Sequence, residues 1–169
     1  MLFKMQDVLT KGIKVPFHTS MNVDELLRNN KDVRKASPVT VELSAHAEDK
    51  VVVVEGNLEL DVELSCSRCL ESAGEHLSIP FYEKFQTLAA YEEGPENEDI
   101  IPVQEDKLDL TPYVEESVLL YMPFVPLCKE DCKGLCPQCG GNRNEKDCGC
   151  SNEAIDPRFA ALKDLFKDQ

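Results

Sequence analysis

The chain has 169 residues, 42% of them apolar, enough for one domain to build a core without disulfide staples. A net charge of −14 argues against generic nucleic-acid binding, which depends on neutralising phosphates, and leaves any RNA contact to local basic patches. Residues 1–37 run against that balance, with seven basic and four acidic side chains.

Met1 to Asp7 contains neither the apolar run nor the small-residue cleavage site of a signal peptide. No apolar stretch, the run Val51 to Val54 included, is long enough to span a bilayer. A cytoplasmic chain with reduced thiols and no membrane partner is expected. Gly12 to Phe17 reads as an edge strand interrupted by Pro16, and Asn22 or Asp24 can cap a short helix through Glu25-Leu26-Leu27. Strand signals follow. Val39, Val41, Leu43 and Ala45 alternate with polar residues, Val51 to Val54 forms a further strand, and Glu55-Gly56-Asn57 reads as a tight turn. Leu58, Leu60, Val62 and Leu64 alternate with Glu59, Asp61, Glu63 and Ser65, and Leu77, Ile79, Phe81 and Phe85 continue the two-residue period. Sequential strands with short connections predict an antiparallel meander or small open barrel.

Glu92 to Asp99 is an acidic loop. Thr111-Pro112 reads as a capped helix start, with Leu110, Val114, Val118 and Tyr121 on one face. Pro123 and Pro126 end that helix before Cys128, and a last helix is expected from Asp156-Pro157 through Phe159, Leu162 and Phe166. The fold class is therefore α+β: a β-rich body with a few helices and a Cys-rich C-terminal module. Its divisions fall at 1–37, a basic segment packing on the body; 38–127, the body with one helix; and 128–169, a zinc-knuckle module with the last helix.

The eight cysteines fall as Cys66 and Cys69, then Cys128, Cys132, Cys136, Cys139, Cys148 and Cys150. Eight thiolates suffice for two tetrahedral Zn²⁺ sites, and Cys136-Pro137-Gln138-Cys139-Gly140-Gly141 reads as a zinc knuckle whose glycines permit the turn under the metal. Reduced thiols disfavour disulfides, and a thioredoxin-like CxxC would open a helix, whereas no helix pattern follows Cys69. Zinc is the expectation. Loop closure suggests that Cys136, Cys139, Cys148 and Cys150 share one ion, leaving Cys66 and Cys69 to meet Cys128 and Cys132; alternatively Cys132 joins Cys136 and Cys139. An all-Cys ligand set leaves neither an open metal position nor a general base. His18, His46 and His76 are scattered, and no phosphate loop, nucleophile elbow or His-Glu-x-x-His motif is present. Neither an enzyme nor a small-molecule substrate is expected.

Val62 to Glu71, with Cys66-Ser67-Arg68-Cys69-Leu70, resembles the strand-plus-CxRCL signature of the YceD-like family, the large ribosomal RNA subunit accumulation proteins. Leu120 to Cys128, Cys132 to Gly140, Cys148-Gly149-Cys150 and Asp156-Pro157-Arg158 resemble that family's following segments in order and spacing. The resemblance implies a factor needed for accumulation of 23S rRNA and assembly of the large ribosomal subunit, with no catalytic residues. Partners would be that RNA or an assembly intermediate, and ribosomal proteins. Folded RNA is read through shape, phosphates and unstacked bases. On that basis the candidate contacts are Arg68, Lys129, Lys133, Arg143, Lys146 and the basic N-terminal stretch. Glu130, Asp131, Glu145 and Asp147 cancel the charge around the later cysteines, so an adaptor that binds protein through its zinc module, without RNA contact, is the alternative. A thiol oxidoreductase is a third reading, resting on CxxC spacing alone. Arg158 is read as structural.

Overall fold

The computed structural model describes residues 1–150, so the expected helix beyond Asp156, with Arg158, lies outside the described residues. In chain order the elements are β1 (Leu2–Lys4), α1 (Met5–Lys11), β2 (Val15–Met21), α2 (Asp24–Leu27), β3 (Val33–Ala36), β4 (Val39–Glu48) and β5 (Val51–Ser65). After these come β6 (Ser72–Thr87), a 3₁₀ turn (Pro95–Asn97), β7 (Ile100–Val103), β8 (Lys107–Asp109) and α3 (Thr111–Tyr121).

Alternation in the sequence becomes two faces of a curled sheet. Val39, Val41, Leu43 and Ala45 of β4, Leu58, Leu60, Val62 and Leu64 of β5, and Leu77, Ile79, Phe81 and Phe85 of β6 are buried in one cluster. Met5 and Val8 of α1 and Val114 and Val118 of α3 belong to the same core. The meander β4-β5-β6 is antiparallel, with β2 on the edge beside β4 and β3 on a further stretch of β5. The sheet is mixed, because β7 joins β6 in parallel, with Lys84 opposite Ile100 and Thr87 opposite Val103. The segment between Thr87 and Ile100 supplies the crossover that a parallel pair requires. A separate two-stranded sheet pairs β1 with β8.

Three local expectations are corrected. Glu55-Gly56-Asn57 is not a turn: the chain runs through it as one 15-residue strand, with Gly56 opposite Leu43 on one side and Phe81 on the other. Gly56 has a φ of 153°, and a Cβ there would stand 2.1 Å from the Glu42 carbonyl oxygen, so the glycine permits close strand approach and the hairpin turn falls at Asp49-Lys50. Thr111 does not cap α3 with its side chain. Instead Asp109 Oδ1 accepts from the Thr111 amide at 3.0 Å and from its hydroxyl at 2.7 Å, because a carboxylate two residues back reaches the free N–H. Tyr121 is exposed, and Met122 is the buried residue at that end of α3. There the helix has already stopped, and the extended dihedrals of Met122 (φ −62°, ψ 130°) place it in the core.

Candidate metal centre

The hairpin of β5 and β6 carries the first cysteine pair at its tip, where Cys66 to Glu71 joins Ser65 to Ser72. The second pair of that group arrives from the far end of α3, through Pro123 and Pro126. The Ser67 amide donates to the Pro126 carbonyl at 2.9 Å, fastening the incoming segment to the hairpin tip. Around the meeting point Cys66, Cys69, Ala73 and Cys132 form a small second core against Leu127, Cys128 and Leu135.

All eight sulfurs gather into two groups of four. Cys66, Cys69, Cys128 and Cys132 form the first and Cys136, Cys139, Cys148 and Cys150 the second, with the sulfurs of each group within 4.8 Å of one another. The open alternative of Cys132 beside Cys136 and Cys139 is not what the backbone builds. In the first group Cys66 Sγ lies 3.8 Å from Cys132 Sγ, and Cys69 Sγ 3.5 Å from Cys128 Sγ. A tetrahedron of sulfurs about 2.3 Å from a central Zn²⁺ has edges of roughly 3.8 Å, so the donor set fits such an ion. Each group can hold a metal ion. No histidine or carboxylate stands in either group.

The two CxxC turns share one construction. The Leu70 amide donates to the Cys66 carbonyl at 2.9 Å and the Gly140 amide to the Cys136 carbonyl at 2.8 Å. The Cys66 amide donates to Glu71 O, and the Cys136 amide to Gly141 O, both at 2.8 Å. In both cases the residue after the second cysteine is left-handed, with φ of 63° at Leu70 and 71° at Gly140. Backbone N–H groups inside these turns point at the first sulfur. Burial opposes ionisation of Cys66, but the amides of Cys128, Arg68 and Cys69 outweigh it and bring the thiol down to about 6. The amides of Cys139 and Gln138 likewise bring Cys136 down to about 6. Cys128 is pushed up to about 12, first by Cys69, and Cys150 to about 12, first by Cys148. Four sulfurs in one pocket cannot all ionise against one another, and a divalent cation removes that conflict.

The groups differ in exposure. Cys66, Cys69 and Cys132 are buried and Cys128 half-buried, whereas Cys139 and Cys148 are exposed and only Cys136 of the second group is buried. Hydrogen bonds made by Leu135 and Asn144 connect them. Leu135, between the groups, donates its amide to the Arg68 carbonyl at 3.0 Å. Asn144, from the loop of the second group, donates to Cys132 Sγ at 3.4 Å and accepts from the Lys133 amide at 2.8 Å. Gly134 makes the approach possible: its φ is 70°, and a Cβ there would lie 2.9 Å from the Arg68 carbonyl oxygen.

The candidate RNA-contacting side chains are not gathered in one place. Lys133, Arg143 and Lys146 line a cavity of about 240 Å³ with Asn144, Glu145 and Asp147. Lys129 stands 3.9 Å from Asp131. Arg68 donates from Nη1 to the Cys132 carbonyl at 2.9 Å, which ties its guanidinium to the first group. His18, His46 and His76 stand apart from the sulfurs, and His76 Nδ1 pairs with Asp61 at 2.8 Å. Sequence reasoning missed Arg34 and Asn144. Arg34 donates to Ser65 Oγ at 3.0 Å and to the Leu70 carbonyl, bracing the first turn from β3. Its place in a basic segment gave no sign of that duty.

The model of the family described as large ribosomal RNA subunit accumulation protein YceD matches residues 54–166, a span that includes both sulfur groups. The chain belongs to this family. Its relatives include the uncharacterized protein YlbN of Bacillus subtilis (strain 168), 32% identical over 155 residues that cover 89% of this chain and 87% of the relative. The Arabidopsis thaliana chloroplastic protein named large ribosomal RNA subunit accumulation protein YCED homolog 1 is 27% identical, over 82% of this chain and 53% of its own length. The Haemophilus influenzae protein named large ribosomal RNA subunit accumulation protein YceD is 27% identical, over 67% of this chain and 66% of its own. No solved structure matches the chain. Among the described residues no helix is long and apolar enough to cross a membrane.

Proposed function

We propose that this protein is a non-enzymatic, cytoplasmic factor that binds two Zn²⁺ ions and is required for accumulation of 23S rRNA and assembly of the large ribosomal subunit. Family membership and the names of the Haemophilus and Arabidopsis relatives support the ribosomal part of this reading. The observation that carries the metal part is the pair of four-sulfur groups built on two like CxxC turns.

Zinc in such a site contributes folding energy and, with every position taken by sulfur, leaves no place for an activated water. Structural zinc binding is worth about 10–16 kcal/mol in finger peptides, against about 5–15 kcal/mol for the stability of a whole domain. The first ion would clip the β5–β6 tip to the chain leaving α3, and the second would set the loop bearing Lys133, Arg143 and Lys146. RNA contact falls to that loop, where three basic side chains meet Glu145 and Asp147. The same two acids, and the net charge of −14, favour the second reading of an adaptor that touches ribosomal proteins alone.

The test is depletion of the protein in its own cell, reading the ratio of 23S to 16S RNA. The ratio should fall, and should recover with the parent gene but not with Cys66→Ser. An unchanged ratio would sink the ribosomal role. Cross-linking in the same cells separates the readings: defined 23S nucleotides mean direct contact, and ribosomal proteins alone mean the adaptor.

A further inference from the structure

Residues 28–35 hold Arg28, Lys31, Arg34 and Lys35 against a single acid, Asp32, in a chain whose net charge is −14. All five side chains are exposed. Among the described residues none of the four cations is in a salt bridge, whereas Lys11, Lys84 and Lys129 each are. A β-bulge sets two of the four side by side. On a regular strand Val33 and Lys35 would share one face, and Arg34 and Ala36 the other. The register of β3 on β5 shifts between Val33, opposite Leu64, and Lys35, opposite Glu63, so Arg34 is the extra residue. Val33 and Ala36 therefore both pack against the core, and Arg34 and Lys35 both face solvent.

Arg28, at the end of α2, joins them. The three side chains line one hollow of about 170 Å³, in which Asp24 is the acid. The acids nearby have other partners. Asp24 Oδ2 accepts from Asn22 Nδ2 at 3.0 Å. Beyond Lys35, Glu63 accepts from Ser72 Oγ at 2.7 Å and Asp61 pairs with His76 at 2.8 Å. The frame under the hollow is fixed: the Asp32 carbonyl accepts from the Ser65 amide at 2.7 Å, the Asn30 carbonyl accepts from the Val33 amide at 3.2 Å, and Leu27 is buried.

Arg34 is oriented before any ligand arrives. Its bonds to Ser65 Oγ and the Leu70 carbonyl use Nε and Nη2, and Nη1 has no partner among the described residues. A guanidinium held along one edge, with donors to spare, is preorganised for an oxyanion. Size narrows the choice. Pockets for whole small molecules run from about 300 Å³ upward, so this hollow admits one phosphate group and not a nucleotide. An exposed, preset group of cations suits a phosphate that arrives on a long chain and passes over the surface, which is how backbone contacts position a nucleic acid.

We propose that Arg28, Arg34 and Lys35 form a phosphodiester-binding site for the RNA backbone, separate from the cavity lined by Lys133, Arg143 and Lys146. The site rests on the reading of direct RNA contact proposed above and gives that contact a second point of attachment, on β3. It reads no base, so it holds RNA in place without selecting its sequence.

Filter binding of deproteinised 23S rRNA to the full-length, metal-loaded protein is the test, over about 50–200 mM KCl. The double variant Arg28→Gln, Lys35→Gln removes two cations that no protein group holds, and so leaves the fold alone. It should weaken binding about tenfold at about 100 mM salt and reduce the slope of log affinity against log salt by about one. Unchanged affinity and slope in the variant would overturn the site while leaving direct contact standing. A parent protein that does not bind the RNA would overturn both. Displacement of the RNA by polyglutamate as readily as by polyuridylate of equal charge would overturn the site in favour of an acidic protein partner. Lysine acetylation of the unaltered protein gives an independent reading. Bound RNA should slow the reaction of Lys35 about fivefold or more and leave Lys50, at the far end of β5, unchanged. Equal rates at Lys35 with and without RNA, or equal slowing of both lysines, would overturn the site.

Discussion

Leu70 and Gly140 occupy the same corner of two like turns, and only one of them is suited to it. Both are left-handed, with φ of 63° and 71°, and both donate their amide to the carbonyl of the cysteine four residues back. A Cβ at such a φ costs roughly 1–2 kcal/mol, and Leu70 recovers little by burial because it is 60% exposed. Leu70→Gly should therefore raise stability by about 1 kcal/mol, once the added freedom of the unfolded glycine is deducted. The reciprocal Gly140→Leu should lower it by about 1 kcal/mol, the same backbone cost less the freedom that the unfolded glycine gives up. Urea unfolding of the metal-loaded proteins measures both; a destabilised Leu70→Gly would mean that the leucine side chain has a contact partner of its own.

Metal stoichiometry follows from the grouping of the sulfurs. The parent should carry two ions per chain, and Cys66→Ser and Cys148→Ser one each, by elemental analysis of purified protein. Losing the first ion should also lower the melting temperature more, since Cys69 and Cys128 lie 59 residues apart and their clip closes a long loop. Loss of both ions in either variant would contradict two separate sites.

Asn144 links the sites without being a ligand. Its side chain donates to Cys132 Sγ and accepts from the Lys133 amide. Removing such a partner typically costs 10–100-fold in metal affinity, so Asn144→Ala should weaken the first site by about tenfold in chelator competition. The second site should change less, although Asn144 lies in its own loop.

Two carboxylates should move stability with pH in opposite directions. Burial, then the charge of Glu116, raises Glu83 above its ordinary value of 4.5, so the folded state holds that proton more tightly than the unfolded one. Stability from this group is present at acid pH and declines as pH rises past 4.5, so Glu83→Gln should raise the melting temperature at pH 7 and not at pH 4. Asp109 is the reverse. The N-terminal ammonium of Met1 at 2.7 Å, helped by the Thr111 amide, holds it down to about 2. Its contribution is present above 3.8 and fades as pH falls toward 2. Asp109→Asn should flatten that acid limb. Melting curves across pH check both.

The sheet was legible wherever a strand was long enough to show a period. Val39 to Ala45 and Leu58 to Leu64 announce one wet face and one buried face, and both are found so. β1 and β8, three residues each, are too short to carry any alternation, and the parallel pairing of β7 depends on the path of its crossover. Gly56 misled because glycine marks turns and close strand approach alike, and only the neighbouring Glu42 carbonyl distinguishes them. The sulfur grouping was legible from chain distance, since the four later cysteines are local and leave Cys66 and Cys69 to meet Cys128 and Cys132. Arg34, Leu70 and Asn144 were not, since each serves a sulfur turn through a backbone angle or a hydrogen bond that no spacing records.

The wide separation of Cys69 from Cys128 sets an order of events during synthesis. The first group has only half its donors until Cys128 has left the exit tunnel, and all four only after Cys132, by which time the whole β5–β6 hairpin and α3 have been made. The second group draws on a single short stretch, Cys136 to Cys150, and would fill by itself, last of all. An ion taken up by the first group would in this way act as a checkpoint: a chain that had misplaced α3 would offer it two sulfurs instead of four.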